Sequence, residues 1–125
     1  MTKAAALYQF FASFGLAAFE ENCVPSDDDA PAFPYLTYNV ATGDFDSEVA
    51  LSVNLWYRSS SWLAANEKAA EIIKKIGRGG VMLKCDGGAI WIKRGSPFAQ
   101  SMGDPEDDLI KREYINITAE YLTVD

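Results

Sequence analysis

The 125-residue chain contains no histidine. That removes the commonest general base and the commonest metal ligand together, and it argues against an enzyme. Cysteine is almost as scarce: Cys23 and Cys85 stand far apart, without a CxxC or Cys/His spacing, so no zinc site or redox pair is indicated. Both are expected as free, buried thiols of a protein that folds in a reducing cytoplasm. Basic residues are outnumbered, 11 against 18 acidic, and the net charge of −7 speaks against a surface built to neutralise phosphates. Long apolar runs are missing as well. The opening MTKAAALYQFFASFGLAAF carries a lysine and aromatic residues at helical spacing, so neither a signal peptide nor a membrane anchor is expected.

What is present is ordinary for one folded domain over 1–125. The hydrophobic fraction is 49% and the charged fraction 23%, and a chain of this length buries roughly two thirds of its unfolded surface. Leu7, Phe10, Phe11 and Phe14 recur at i, i+3, i+4 and i+7, which predicts a helix from near Thr2 to Gly15. A brief strand through Phe19 follows, then a strand over Tyr35–Ala41. From Glu48 to Tyr57 the pattern has period two: Val49, Leu51, Val53, Leu55 and Tyr57 share one face, while Ala50, Ser52, Asn54 and Trp56 share the other. Trp62, Ala65, Ala69, Ile72, Ile73 and Ile76 form the stripe of a second helix, with Glu71 and Lys75 paired at i,i+4 and Gly77 as its stop. Asp86-Gly87-Gly88 joins two short apolar runs as a hairpin. A last strand alternates over Lys111–Val124. The order predicts an α+β domain with a mostly antiparallel or mixed sheet of about four to five strands and two helices on one face.

Two acidic loops interrupt this pattern. PSDDDAPAFP carries Asp27, Asp28 and Asp29, and SPFAQSMGDPEDD, predicted as an exposed loop from Ser96 to Asp108, carries Asp104, Glu106, Asp107 and Asp108. The first lacks the alternating ligands, glycine turn and distal glutamate of a calcium loop, and GRGG lacks the helix and Lys-Ser/Thr pair of a phosphate loop. No metal or cofactor is expected. The serines of NLWYRSSSW have no base nearby to activate a nucleophile. Ser60 or Ser61 instead stands where the N-cap of the second helix belongs. No catalytic residue is therefore assigned.

The strings FGLAAFEENCVP, PYLTY and LWYRSSSW, followed by GGVMLKCDGGAIWIKRGSPFAQSM, resemble small tail-terminator or tail-completion proteins of long-tailed phages and prophages of Gram-positive bacteria, and the likeness covers nearly the whole chain. It implies a structural subunit without catalytic residues, assembled in the host cytoplasm into a ring, typically a hexamer, at the head-proximal end of the virion tail. Such a ring stops tube polymerisation, and its implied partners are the tail tube protein and the head–tail connector. DNA passes through its lumen without specific binding. The alternatives are a neighbouring head–tail joining (stopper) protein and a monomeric binding module. Trp56 and the acidic residues Asp27, Asp28, Asp29, Asp104, Glu106, Asp107 and Asp108 are the candidates for interface or lumen.

Overall fold

The computed structural model describes residues 1–125. Its fold is α+β. Two helices, α1 (Lys3–Ala12) and α2 (Leu63–Ile76), accompany one mixed sheet of six strands: β1 (Ala17–Glu20), β2 (Tyr35–Tyr38), β3 (Ser47–Arg58), β4 (Val81–Cys85), β5 (Gly88–Gly103) and β6 (Ile110–Thr123). The strand order is β1-β2-β3-β6-β5-β4, with only β1 and β2 parallel. Six strands is slightly more than the sequence pattern suggested.

Alternation sorts the sheet into two faces. Leu51, Val53, Leu55 and Tyr57 of β3 and Ile115, Ile117, Ala119 and Tyr121 of β6 point to the same side and are buried. Ala6, Leu7, Phe10 and Phe11 of α1 and Ala65, Ala69, Ile72 and Ile76 of α2 close over them as one continuous core. The sheet curls enough for α1 to touch β1 at one edge and β4 at the other. The opposite face carries no helix.

Helix α1 is shorter than its stripe predicts. Thr2 caps it by accepting the Ala5 N–H at 3.1 Å, the helix stops at Ala12, and Gly15 takes φ 83° in the turn towards β1. Strand β2 ends at Tyr38 rather than Ala41. The expected Glu71–Lys75 pair is replaced: Lys68 bridges Glu71 at 3.2 Å, while Lys75 donates to the Ser13 hydroxyl at 2.6 Å and lies over the Phe14 ring. Lys75 thereby ties α2 to the end of α1.

The largest difference concerns Ser96–Asp108. Most of it is not a loop, because β5 continues through Gly103 and pairs Ala99–Gly103 with Lys111–Ile115. The register shifts between Arg94 and Ala99, and Pro97 falls inside that interruption, where a missing N–H leaves no ladder bond unmade. The long ladder of β6 supplies the partner that local pattern could not reveal. Only residues 104–109 remain as the turn between β5 and β6.

Candidate functional site

The uncovered face of the sheet presents an aromatic and cationic strip. Tyr35, Trp56 and Arg112 are register partners on β2, β3 and β6, so their side chains lie side by side. Tyr35 stacks on Trp56 with centroids 6.1 Å apart and planes at 14°, and the Arg112 guanidinium sits 5.5 Å from the Trp56 ring. Phe33 and Phe19 extend the strip beyond Tyr35 at 5.3 and 6.3 Å. The Trp56 indole N–H donates to Thr37 Oγ1 at 2.9 Å, which fixes the ring and helps bury Thr37. Arg112 forms no ion pair; its guanidinium meets the Met102 sulfur at 3.0 Å. A recess of about 200 Å³ beside it is lined by Trp56, Gly103, Asp104, Pro105, Ile110 and Arg112. Parity along β3 places Trp56 on this face from sequence alone. Arg112 shares the parity of Asn116, Thr118 and Glu120, yet nothing in the local pattern singles it out.

The acidic candidates divide by what their oxygens do. Asp104 Oδ1 accepts the backbone N–H groups of Glu106 and Asp107 at 2.8 and 3.3 Å, and Asp107 Oδ1 accepts that of Leu109 at 3.0 Å. Asp107 Oδ2 also pairs with Arg58 at 3.5 Å. These two aspartates build the β5–β6 turn. Glu106 and Asp108 contribute no side-chain contact to it. Asp27, Asp28 and Asp29 form an exposed 3₁₀ turn, entered at Asp27 with φ 58°, and join no ion pair. The two acidic segments do not assemble into a group of metal-ligand type.

The serine junction is capped differently from the expectation. The N-cap position belongs to Trp62, not to Ser60 or Ser61. Ser61 Oγ still accepts the Leu63 N–H at 3.1 Å, and Ser59 Oγ accepts the Ser61 N–H at 3.1 Å, so two short serine turns lead the chain into α2. Ser60 takes no part. The thiols also depart from expectation: Cys23 is exposed and Cys85 half-buried. Cys23 Sγ donates to Glu20 Oε2 at 3.2 Å, and that hydrogen bond, with the carboxylate charge, pushes the thiol up and away from thiolate reactivity. Cys23 lies on a short surface turn where no core packs over it.

Glu113 is a buried carboxyl that sequence reasoning missed. Its parity with Ile115 and Ile117 puts it on the helix-covered face, opposite Leu55, with 3% of its surface exposed. The Ser101 hydroxyl, 3.2 and 3.3 Å from its two oxygens, is its sole side-chain partner. Burial raises its pKa, and the Ser101 hydrogen bond offsets part of that rise. A carboxyl whose pKa is raised in the folded state adds no ionisation penalty while protonated and penalises folding once ionised. Stability therefore falls as pH climbs from the ordinary carboxylate range through the raised value. Glu113→Gln is expected to stabilise the protein by on the order of 1 kcal/mol at pH 7 and to leave stability below about pH 4 nearly unchanged. Urea denaturation at the two pH values measures this, and equal effects at both would refute it.

No helix is long and apolar enough to cross a membrane. No family model, curated protein or solved structure matches the chain.

Proposed function

We propose that the protein is a structural subunit of a phage tail, a terminator that forms a ring at the head-proximal end of the tail tube, stops its polymerisation and offers a surface to the head connector. Its work is contact rather than catalysis. The observation that carries this reading is the helix-free sheet face with its fixed strip of Tyr35, Trp56 and unpaired Arg112. Aromatic residues and arginine, immobilised before contact, are the residue types that dominate protein interfaces. The sequence resemblance supplies the class of partner. A heterologous contact that closes by rotation leaves no free end, which suits a component that ends a polymer. Exposed carboxylates facing a lumen would let DNA pass without adhering, and Asp27, Asp28, Asp29, Glu106 and Asp108 are the acids free for that role.

The test is electron microscopy of the chain mixed with its tail tube, read for capped tube ends and tube length. A null mutant should yield overlong tails; normal tails beside heads that leak DNA would instead indicate the neighbouring joining protein. Trp56→Ala is expected to lower stability by about 1–2 kcal/mol, because the ring covers Thr37 and stacks on Tyr35, and to reduce capping at temperatures where the variant remains folded. Trp56→Phe should retain most of both. If folded Trp56→Ala capped tubes as well as the parent, this face would not be the contact.

A further inference from the structure

Phe45 is the most exposed aromatic residue of the molecule, at 77%, and it stands between Asp44 and Asp46 in the β2–β3 loop. The loop is held firmly for so exposed a segment. Asp46 takes φ 61°, its N–H donates to Tyr121 O at 2.8 Å, the Ser47 N–H donates to Asp44 O at 2.8 Å, and Lys3 Nζ donates to Gly43 O at 2.8 Å. An aromatic ring is thus presented to solvent on a constrained turn with a carboxylate on either side, and no ion pair occupies those carboxylates.

Elsewhere on the same molecule lies a complementary feature. A groove of about 310 Å³ between α1 and β4 is lined by Ala6, Phe10, Val81 and Met82 and by Lys75 and Lys84. Met82 is half exposed, and none of the five ion pairs uses either lysine. Lys74 and Arg78, also without ion pairs, flank it in sequence at the end of α2. The Phe45 loop is tied to the start of α1 and to Tyr121, and Phe45 does not line the groove of its own chain.

We propose that the Asp44-Phe45-Asp46 turn of one copy docks into the α1–β4 groove of a second copy, Phe45 entering among the apolar residues while the two aspartates meet Lys75 and Lys84. This rests on the ring reading for its biological setting, although the contact is argued from these residues alone. Donor turn and acceptor groove are different surfaces, so the contact is head-to-tail and a pair of copies keeps one free groove, on the copy that gave its turn, and one free turn, on the other. A preformed aromatic anchor with charge-complementary neighbours loses little freedom on binding. In a chain of net charge −7, copies repel one another as wholes, and a local match of sign selects one mutual orientation.

The test uses full-length chains carrying Phe45→Ala or Lys84→Glu, both at exposed positions, with folding verified by thermal melts. Self-association is followed by sedimentation velocity at about 0.15 M salt, where surface charges act only over about 8 Å. Phe45→Ala should weaken association about thirtyfold, the effect of removing an aromatic anchor, and Lys84→Glu should weaken it about tenfold or more. Mixed one to one, the two variants should form a complex that stops at two copies, because one intact turn and one intact groove remain between them. A parent chain that stays monomeric, unchanged association of either variant, or no mixed dimer would overturn the proposal. Open parent chains alongside a mixed dimer would uphold the contact and reject the ring. Closed parent rings indifferent to Phe45→Ala would do the reverse.

Discussion

Phe11→Ala is expected to lower the stability of the protein by about 3–5 kcal/mol. The ring is 2% exposed at the centre of α1's buried stripe, edge-on to Phe10 at 5.4 Å and tilted over Tyr38 at 4.6 Å. Truncation removes the transfer free energy of a phenyl ring and leaves a cavity between helix and sheet. The surroundings cannot collapse into it easily, because α1 is held at both edges of the curled sheet and by Lys75 at its end. The loss is a large fraction of the roughly 5–15 kcal/mol that holds a domain folded. Thermal melting should show a midpoint lower by roughly 10 °C or more, and a fall of only a degree or two would mean that α1 is not a structural wedge.

Gly88→Ala should cost about 3 kcal/mol for a different reason. Gly88 opens β5 with φ 152°, and a Cβ there would lie 2.0 Å from Leu122 O and 3.1 Å from Leu122 C. Those obstacles are backbone atoms of β6 and cannot rotate away. The hairpin must shift from β6 or bend, which should raise hydrogen-exchange rates at Ile90 and Ile92 as well as lower the melting point. Gly103, at the other end of β5, has open space for 4 Å around the point where a methyl group would stand, and it serves as the control. Gly103→Ala is expected to stay within about 0.5 kcal/mol of the parent, and equal effects at the two glycines would contradict the steric account.

Both helices, the alternation of β3 and β6 and the Asp86-Gly87 hairpin are legible in the sequence because each depends on a periodicity contained within its own segment. Strand β5 is not legible past Arg94, since Gly95, Ser96 and Pro97 read locally as a break and only the long partner β6 carries the ladder across them. The position of Trp56 follows from parity, but its stacking on Tyr35 depends on which strands become neighbours. Glu113 combines core parity with the charge of a surface residue, and charge masks the parity. Asp104 and Asp107 look like solvated acids until the backbone N–H groups they accept are visible. Phe45 is inconspicuous because an aromatic residue in a Gly/Asp turn belongs to no periodic pattern.

The contact of α1 with both edges of the sheet also bears on the order in which the chain can fold. The helix is made first, yet the β4 edge it leans on lies at residues 81–85, and the central pairing of β3 with β6 joins residues as distant as Ser47 and Tyr121. During synthesis, a segment bearing Phe10, Phe11 and Phe14 can meet β1 and Tyr38 early, but it waits for Lys75 and β4 to emerge before its docking surface is complete. Such long-range closure slows folding and leaves apolar surface open to association in the interval.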